Sequence, residues 1–357
     1  MASLKDITVI APHFKRRLSG VTSTVVQLVP EQERQGRGIT TLGPGLPDHL
    51  PRMRWRDLPL LWRPPAGHRL RVWHARRNNE MLFGLLLKTV LRMPLRLLFT
   101  SAAQRSHTSY TKWLLRQMDA VVATSGRSGS FLEVPHTVIR HGVDLAVFHP
   151  PESHDDTMAA TGLPGRYLVG CFGRVRHQKG TDLFVRAMID LLPHHPDWTA
   201  VVCGRATAEH RAFTDGLETA IRNAGLSDRI RFLGEVDDIK PWYRRLTLYV
   251  APSRNEGFGL TPLEAMASQT AVVASDAGAY AEQIEPGTTG LVVPAGAYDP
   301  LRDAIAGYLA DPARAIEAGH AGRKHVCRHF SLENEALALD DIYDKLIGQD
   351  GTSGRRK

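Results

Sequence analysis

Long apolar runs are missing from this 357-residue chain. Even residues 81–87, among the longest, fall far short of the ~20 residues that a membrane-spanning helix needs. Cysteine is scarce as well: Cys171, Cys203 and Cys327 are scattered, which excludes a disulfide framework or a cysteine-based metal site. Cys171 and Cys203 lie in apolar strand-like runs, as small core residues of a protein in a reducing compartment. The opening M-A-S-L-K-D leads straight into a strand, so no signal peptide is expected. No helix-turn-helix, RRM or zinc pattern is present, and nucleic acid is not an expected partner. There is no G-x-x-x-x-G-K-[ST] loop, which excludes a Walker-type phosphate loop. No G-x-G-x-x-G follows the first strand, which weakens a dinucleotide reading. There is also no short-period repeat.

Acidic residues are scarce in the first half. Residues 1–150 hold 22 Lys+Arg against 9 Asp+Glu, a net +13; residues 151–357 hold 23 against 28, a net −5, giving +8 overall. The basic excess is concentrated between Arg52 and Arg127. Such one-sidedness suggests an anionic partner: nucleic acid, an acidic membrane surface or an acidic acceptor.

What is there is an alternation of strands and helices. Apolar runs at 7–10, 38–42, 69–74, 95–100, 120–123 and 137–139 read as strands, with helical patterns at 21–33, 78–92 and 109–116. Residues 44–65, rich in Pro and Arg, resist assignment. A polar stretch follows, and then a second alternation begins. Its strands are expected at 167–172, 198–203, 230–233, 246–251, 271–274 and 290–293, and its helices at 181–192, 208–224 and 262–267. Helices at 300–309, 312–329 and 332–347 close the chain. This predicts an α/β protein of two doubly wound parallel sheets in series. The expected boundaries are a first domain at 1–150, a linker at 151–165, a second domain at 166–330 and a disordered tail at 348–357. The helix at 78–92 is apolar at Met81, Leu82, Leu85, Leu86, Thr89 and Val90 and basic at Lys88 and Arg92. It fits either a core-facing helix or a membrane-surface one.

The chemistry centres on S-R-N-E-G-F-G-L-T-P-L-E (residues 253–264), laid out as strand, glycine loop, helix. Backbone N–H groups at such a helix start favour an anion. Glu256 in the loop and Glu264 a turn into the helix must then serve something else, such as sugar hydroxyls, an acid/base pair or helix-start charges. In G-R-V-R-H-Q-K-G (173–180), Arg174 and Lys179 suit a diphosphate, Arg as a bidentate donor and Lys as a point charge. Gly20, after Ser19, lets backbone approach a phosphate. His74 falls at the carboxyl end of a strand, where open α/β sheets place ligands.

The stretch N-E-G-F-G-L-T-P-L-E-A-M-A, with its two Glu residues, resembles the signature of retaining GT-B glycosyltransferases of family 4. V-I-R-H-G-V-D-L-A-V-F-H-P (138–150), F-G-R-V-R-H-Q-K-G-T-D (172–182), R-I-R-F-L-G-E-V (229–236) and F-S-L-E-N-E followed by L-D-D-I-Y-D resemble further segments of that family in the same order. The resemblance implies two Rossmann-like domains facing across a cleft, with the last helix (331–347) crossing back to the first. It implies that Arg174 and Lys179 hold the diphosphate of a nucleotide sugar, that Glu264 binds the ribose and that Glu256 binds the donor sugar. Gly257, Phe258, Gly259, Leu260 and Thr261 line the sugar and phosphate, Val236 belongs to the nucleoside pocket, and Gly20 approaches the diphosphate. His74 corresponds to a catalytic histidine near the anomeric centre. No D-x-D metal motif lies in a suitable loop, so metal-independent transfer without a cofactor is expected.

H-A-R-R-N-N-E-M (74–81), T-S-A-A-Q-R (100–105) and the basic first domain are similar to bacterial lipopolysaccharide-core mannosyltransferases. That similarity implies a hexosyltransferase moving mannose from GDP-mannose to an anionic, Kdo-bearing lipid A precursor at the cytoplasmic face of the inner membrane. Arg76, Arg77 and Arg105 are the candidate acceptor contacts. The alternatives are a related transferase using a UDP-sugar, a sugar-phosphate synthase on the same fold, and a basic lipid- or nucleic-acid-binding module.

Overall fold

Short, wholly apolar strands are the pattern of parallel sheets covered on both faces, and two such sheets form. The computed structural model describes residues 5–15 and 20–348. The chain divides into two compact units: Met1–Gly142 with Leu332–Lys357, and Val143–Ser331.

Unit 1 begins with β1 (Val9–Pro12), α1 (Gly20–Arg34), β2 (Ile39–Leu42), β3 (Arg52–Met53), β4 (Arg71–Ala75) and α2 (Asn78–Thr89). It continues with β5 (Leu95–Ser101), α3 (Ser109–Leu115), β6 (Ala120–Ala123), α4 (Gly126–Gly129) and β7 (Thr137–Val138). Its seven strands run β3-β2-β1-β4-β5-β6-β7, with every pairing parallel. The order reverses direction between β1 and β4, and that crevice is where an open α/β sheet binds ligands.

Unit 2 repeats the design. It runs β8 (Tyr167–Phe172), α5 (Thr181–Leu191), β9 (Trp198–Cys203), α6 (Arg211–Asn223), β10 (Ile230–Gly234), α7 (Lys240–Arg245) and β11 (Leu248–Ala251). Next come α8 (Thr261–Ala267), β12 (Ala271–Ser275), α9 (Tyr280–Gln283), β13 (Gly290–Val293), α10 (Tyr298–Ala310) and α11 (Pro312–His329). The parallel order β10-β9-β8-β11-β12-β13 reverses between β8 and β11. One face of this sheet packs Phe184, Met188 and Ile305; the other packs Leu263, Met266 and Tyr243.

The last helix, α12 (Leu332–Gly348), belongs to unit 1. Leu332, Ala336, Leu339, Tyr343 and Leu346 are spaced along one side of it and are buried with Val25, Leu28 and Val29 of α1. Arg37 adds ion pairs to Asp340 at 3.1 Å and Asp344 at 2.8 Å. Truncating a buried leucine such as Leu339 costs ~2–5 kcal/mol, so this helix is fixed by packing more than by its charges.

Three stretches differ from the sequence reading. Residues 44–65 form β3 and a 3-10 helix, Trp55–Trp62. Residues 151–165 contain two 3-10 turns within unit 2, where Asp156 accepts a 2.5 Å bond from Arg244 Nε and Met158 is buried. In α2 the buried residues are Glu80, Met81, Gly84 and Leu87, while Leu82 and Leu86 stay exposed. Of the expected tail, 348–357, Gly348 instead ends α12 and the remainder lies outside the described residues.

Candidate functional site

Neighbouring strands β8 and β11 feed two loops side by side in unit 2, residues 173–180 and 252–260. Gly180, at φ +70°, lets them touch, because a Cβ there would overlap the Pro252 carbonyl oxygen. Arg254 then clamps them. Its Nη1 and Nη2 donate to both Asp182 carboxylate oxygens at 2.7 Å, and Nη1 also donates to the His177 carbonyl at 2.7 Å. The Arg254 N–H donates to the Gln178 carbonyl at 2.9 Å. Burial opposes charge on Asp182, but the Arg254 bonds outweigh it and hold the carboxyl below its usual range.

Between the clamped loops, Lys179 Nζ donates to the Glu256 carboxylate, with the side chains 21% and 19% exposed. Arg174 is exposed, and among the described residues no hydrogen bond or ion pair engages its guanidinium. Arg176 is half-buried; burial first, then Arg174, lowers its pKa. Lys179 and Arg176 face this carboxylate and Arg174 lies within electrostatic reach of Arg176, so the loop stays positive, as a diphosphate site requires. Glu256 also accepts from the Gly257 N–H at 3.3 Å, and Tyr280 Oη lies 3.5 Å away. Gly259, at φ +80°, sits where a Cβ would strike the Tyr280 ring and come within 2.9 Å of Glu256 Cγ. Its carbonyl accepts from buried Gln283 Nε2 at 2.9 Å, and the Phe258 carbonyl does so at 3.3 Å.

Glu264 lies in the first turn of α8, where Tyr243 Oη donates to it at 2.7 Å. Burial raises its pKa; the Tyr243 bond and Lys179 pull the other way without cancelling the effect. Thr261 and Leu260 are half-exposed beside it, whereas the Phe258 side chain is buried in the core. Val236 follows β10, half-exposed, with its N–H at the Cys203 thiol, which burial pushes up to about 11. The fold thus brings Lys179, Glu256, Gly257 and Gly259 together, with Glu264 within electrostatic reach of Lys179.

In unit 1, His74 is the last residue but one of β4 and is only 1% exposed. Its Nδ1 lies 2.7 Å from Tyr343 Oη of α12, and its Nε2 lies 2.7 Å from Thr100 Oγ1 of β5. Burial above all, then Arg76 and His141, pushes its pKa well down. Both nitrogens have internal partners, so a catalytic ring would have to break these bonds to reach a substrate. Arg76 and Arg77 are both tied to Glu80, which is fully buried. The Arg76 N–H donates to Oε2 at 2.8 Å and Arg77 Nη1 to Oε1 at 2.9 Å. Arg76 also donates to the His74 carbonyl at 3.3 Å, and burial lowers its pKa. His141 pairs with Glu335 at 2.7 Å, and the Gly142 N–H donates to the same carboxylate at 2.8 Å. His74, Arg76, Thr100, His141, Glu335 and Thr24 line a cavity of about 10 Å³, room for one water. Arg105 is exposed in the loop after β5, apart from this cluster. Gly20 is the first residue of α1; residues 16–19, Ser19 among them, lie outside the described residues.

Sequence reasoning passed over Arg176, Arg254, Asp182, Tyr243, Tyr280, Gln283, Thr100 and Tyr343. Asp182 and Tyr343 sit inside motif segments but bear on the site through contacts far along the chain, which no local spacing reveals.

A family model described as glycosyl transferases group 1 matches residues 153–325. The chain is 70% identical, over 98% of its length and 99% of the relative's, to the lipopolysaccharide core biosynthesis mannosyltransferase LpcC of Rhizobium leguminosarum bv. viciae. It is 53% identical, over 97% and 100%, to the lipopolysaccharide core biosynthesis mannosyltransferase LpsB of Rhizobium meliloti strain 1021. The crystal structure of Anabaena HepE in complex with UDP superposes with a TM-score of 0.81 at 18% identity, covering 95% of this chain and all of that one, a likeness of fold.

Proposed function

Because the chain belongs to the glycosyl transferases group 1 family, we propose that this glycosyltransferase moves mannose from GDP-mannose to the Kdo-containing inner core of a lipid A precursor. Its fold is of the GT-B class. Relatives named for lipopolysaccharide core mannosyl transfer, similar along their whole length, support the sugar and the pathway step. The lipid acceptor fits the net +13 of residues 1–150. Transfer takes place at the cytoplasmic face of the inner membrane, with the enzyme peripheral to it. Acceptor recognition falls to the first domain, including Arg105, Arg76 and Arg77, and donor binding to the second.

The observation that carries the reading is the Lys179–Glu256 pair, with Glu264 in reach of Lys179 and Arg174 exposed on the same loop as Lys179. Arg174 and Lys179 hold the diphosphate and stabilise its charge as the bond to the anomeric carbon breaks. The acceptor hydroxyl attacks the same face, its oxygen bonds to that carbon, and its proton passes to the departing phosphate oxygen. Configuration is retained. Glu256, released from Lys179 by the donor, orients sugar hydroxyls, and Glu264 accepts from the ribose. Gly257, Phe258, Gly259, Leu260 and Thr261 offer backbone to the sugar and phosphate, Val236 borders the nucleoside, and Gly20 approaches the diphosphate. His74 is the histidine near the anomeric centre, and its ring, held by Tyr343 and Thr100, leaves one of these partners to act there.

Radiolabelled GDP-mannose incubated with Kdo-bearing lipid A precursor, beside UDP-glucose and UDP-galactose, tests this. Labelled lipid carrying an α-linked mannose is expected only from GDP-mannose. Absence of label in the lipid overturns the reading, and transfer from a UDP-sugar replaces the donor.

A further inference from the structure

We propose that the Trp55–Trp62 segment, the outer side of α2 and α3 form one surface that docks on an anionic phospholipid bilayer. The inference deepens the proposed function by naming how the enzyme meets its membrane, and it rests on that reading for its purpose.

Large apolar side chains left in solvent are concentrated here. Trp55, Leu60, Trp62, Leu82, Leu86, Val90, Leu91, Tyr110 and Trp113 are each at least 39% exposed, and among the described residues only four other large apolar side chains are similarly exposed. Scattered exposed leucines are ordinary; a cluster is not. Leu82, Leu86 and Val90 follow one another at four-residue spacing, so they line one side of the helix. The core does not need that side, because Met81, Gly84 and Leu87 already fill the inner one.

The three segments are joined. Trp62 Nε1 donates to the Leu91 carbonyl at 2.7 Å, and Trp55 meets Phe83 edge-on with centroids 5.8 Å apart. Asn78 Nδ2 donates to Thr111 of α3 at 2.7 Å, and Tyr110 stacks on Trp113 at 6.3 Å. Three of the chain's six tryptophans are in this surface. Tryptophan and tyrosine favour the boundary between headgroups and acyl chains, where an apolar ring and a polar N–H or O–H are both satisfied.

Charge selects the occupant. Residues 52–116 carry fourteen Lys+Arg and two Asp+Glu. Of the two acids, Glu80 is buried and Asp57 accepts the Arg54 N–H at 3.1 Å. Lys88 and Arg96 share one carboxylate, Asp119, but Arg54, Arg56, Arg63, Arg92 and Arg116 stand exposed around the apolar residues. A basic rim around an apolar centre matches an anionic leaflet. A second copy of the chain fits worse, since a two-fold interface would bring this rim against its like.

The test is co-sedimentation of the full chain with vesicles of phosphatidylcholine alone and of an equimolar mix with phosphatidylglycerol, both free of sugar donor and acceptor. Binding to the anionic vesicles, weakening with salt, is expected. Leu86→Glu with Val90→Glu, and separately Arg56→Glu with Arg92→Glu, should each lower it about tenfold at an unchanged melting temperature. Equal binding to both vesicle types, failure to bind the anionic ones, or variants that bind like the parent would overturn the proposal. So would a dimer that forms without lipid and is abolished by the Leu86 and Val90 changes. Because neither donor nor acceptor is present, a wrong sugar assignment leaves this outcome untouched. Conversely, an enzyme that transfers mannose to a delipidated acceptor yet ignores vesicles sinks the docking surface alone.

Discussion

Lys179 and Glu256 form an ion pair across two loops that leave neighbouring strands β8 and β11, 77 residues apart in sequence. A partly exposed pair of this kind adds little to stability, so its value lies in charge placed ready for a donor. Lys179→Ala should lower kcat/KM by about 10²–10³-fold, the size of losing one oriented cation on a developing anion, and Glu256→Gln by about 10²-fold, through loss of the carboxylate that orients the sugar hydroxyls. Steady-state kinetics with a thermal melt beside them check this. A large fall in melting temperature that accounts for the lost rate would contradict it.

Arg254 and Asp182 hold those loops together through two parallel 2.7 Å bonds. Lysine cannot reproduce a planar fork. Arg254→Lys should therefore raise the donor KM about tenfold, with a smaller change in kcat. Asp182→Asn should act alike, and the double variant should be no worse than either single one, as expected of one shared contact. Fully additive effects in a double-mutant cycle would show that the two residues act separately.

Gly259→Ala probes the turn directly. Its φ of +80° and the nearby Tyr280 ring leave no place for a methyl group. The expected cost is about 1–3 kcal/mol in urea unfolding, together with loss of transfer, because relief of the clash moves Glu256. Parent-like stability and activity would mean that the loop re-forms without constraint.

The sequence made the strand order's ingredients legible because fully buried parallel strands read as solid apolar runs, as at 120–123, 167–172 and 198–203. The loops at 173–180 and 253–264 were legible because glycine, cation and carboxylate concentrate within a few residues. Residues 44–65 were opaque: a two-residue strand and a 3-10 helix have no periodicity to detect. The apolar residues of α2 were visible, but not which of them face solvent, since Leu82 and Met81 look alike until a core is built beside one of them. Arg77 looked like a free cation beside a ligand site, whereas buried Glu80, three residues on, engages it. His74 was legible as a histidine at a strand end. Its partners Thr100 and Tyr343 lie 26 and 269 residues away, and only the packing of α12 brings the latter near.

Burial of His74 makes a prediction with a definite sign. Its folded pKa is well below the ordinary imidazole value because burial, Arg76 and His141 all oppose the charged form, while Glu335 is engaged by His141. Below the unfolded value of about 6.5 the unfolded chain takes up a proton that the folded one refuses, so stability is complete above that pH and falls as pH drops beneath it. The slope from this one group approaches about 1.4 kcal/mol per pH unit. His13, His107, His195 and His325 are lowered too and add in the same direction, so the parent slope alone does not isolate His74. The difference does. Urea unfolding of the parent and of His74→Asn at pH 7.5, 6.5 and 5.5 should show the variant less stable at the highest pH, where two hydrogen bonds are weakened. It should also show a shallower loss towards acid, because one proton-binding group has gone from the unfolded state. Tyr343→Phe leaves the imidazole in place and should keep the parent slope. Parallel curves for the parent and His74→Asn would mean that His74 protonates as readily in the fold as out of it, and that its ring is not held neutral between Tyr343 and Thr100.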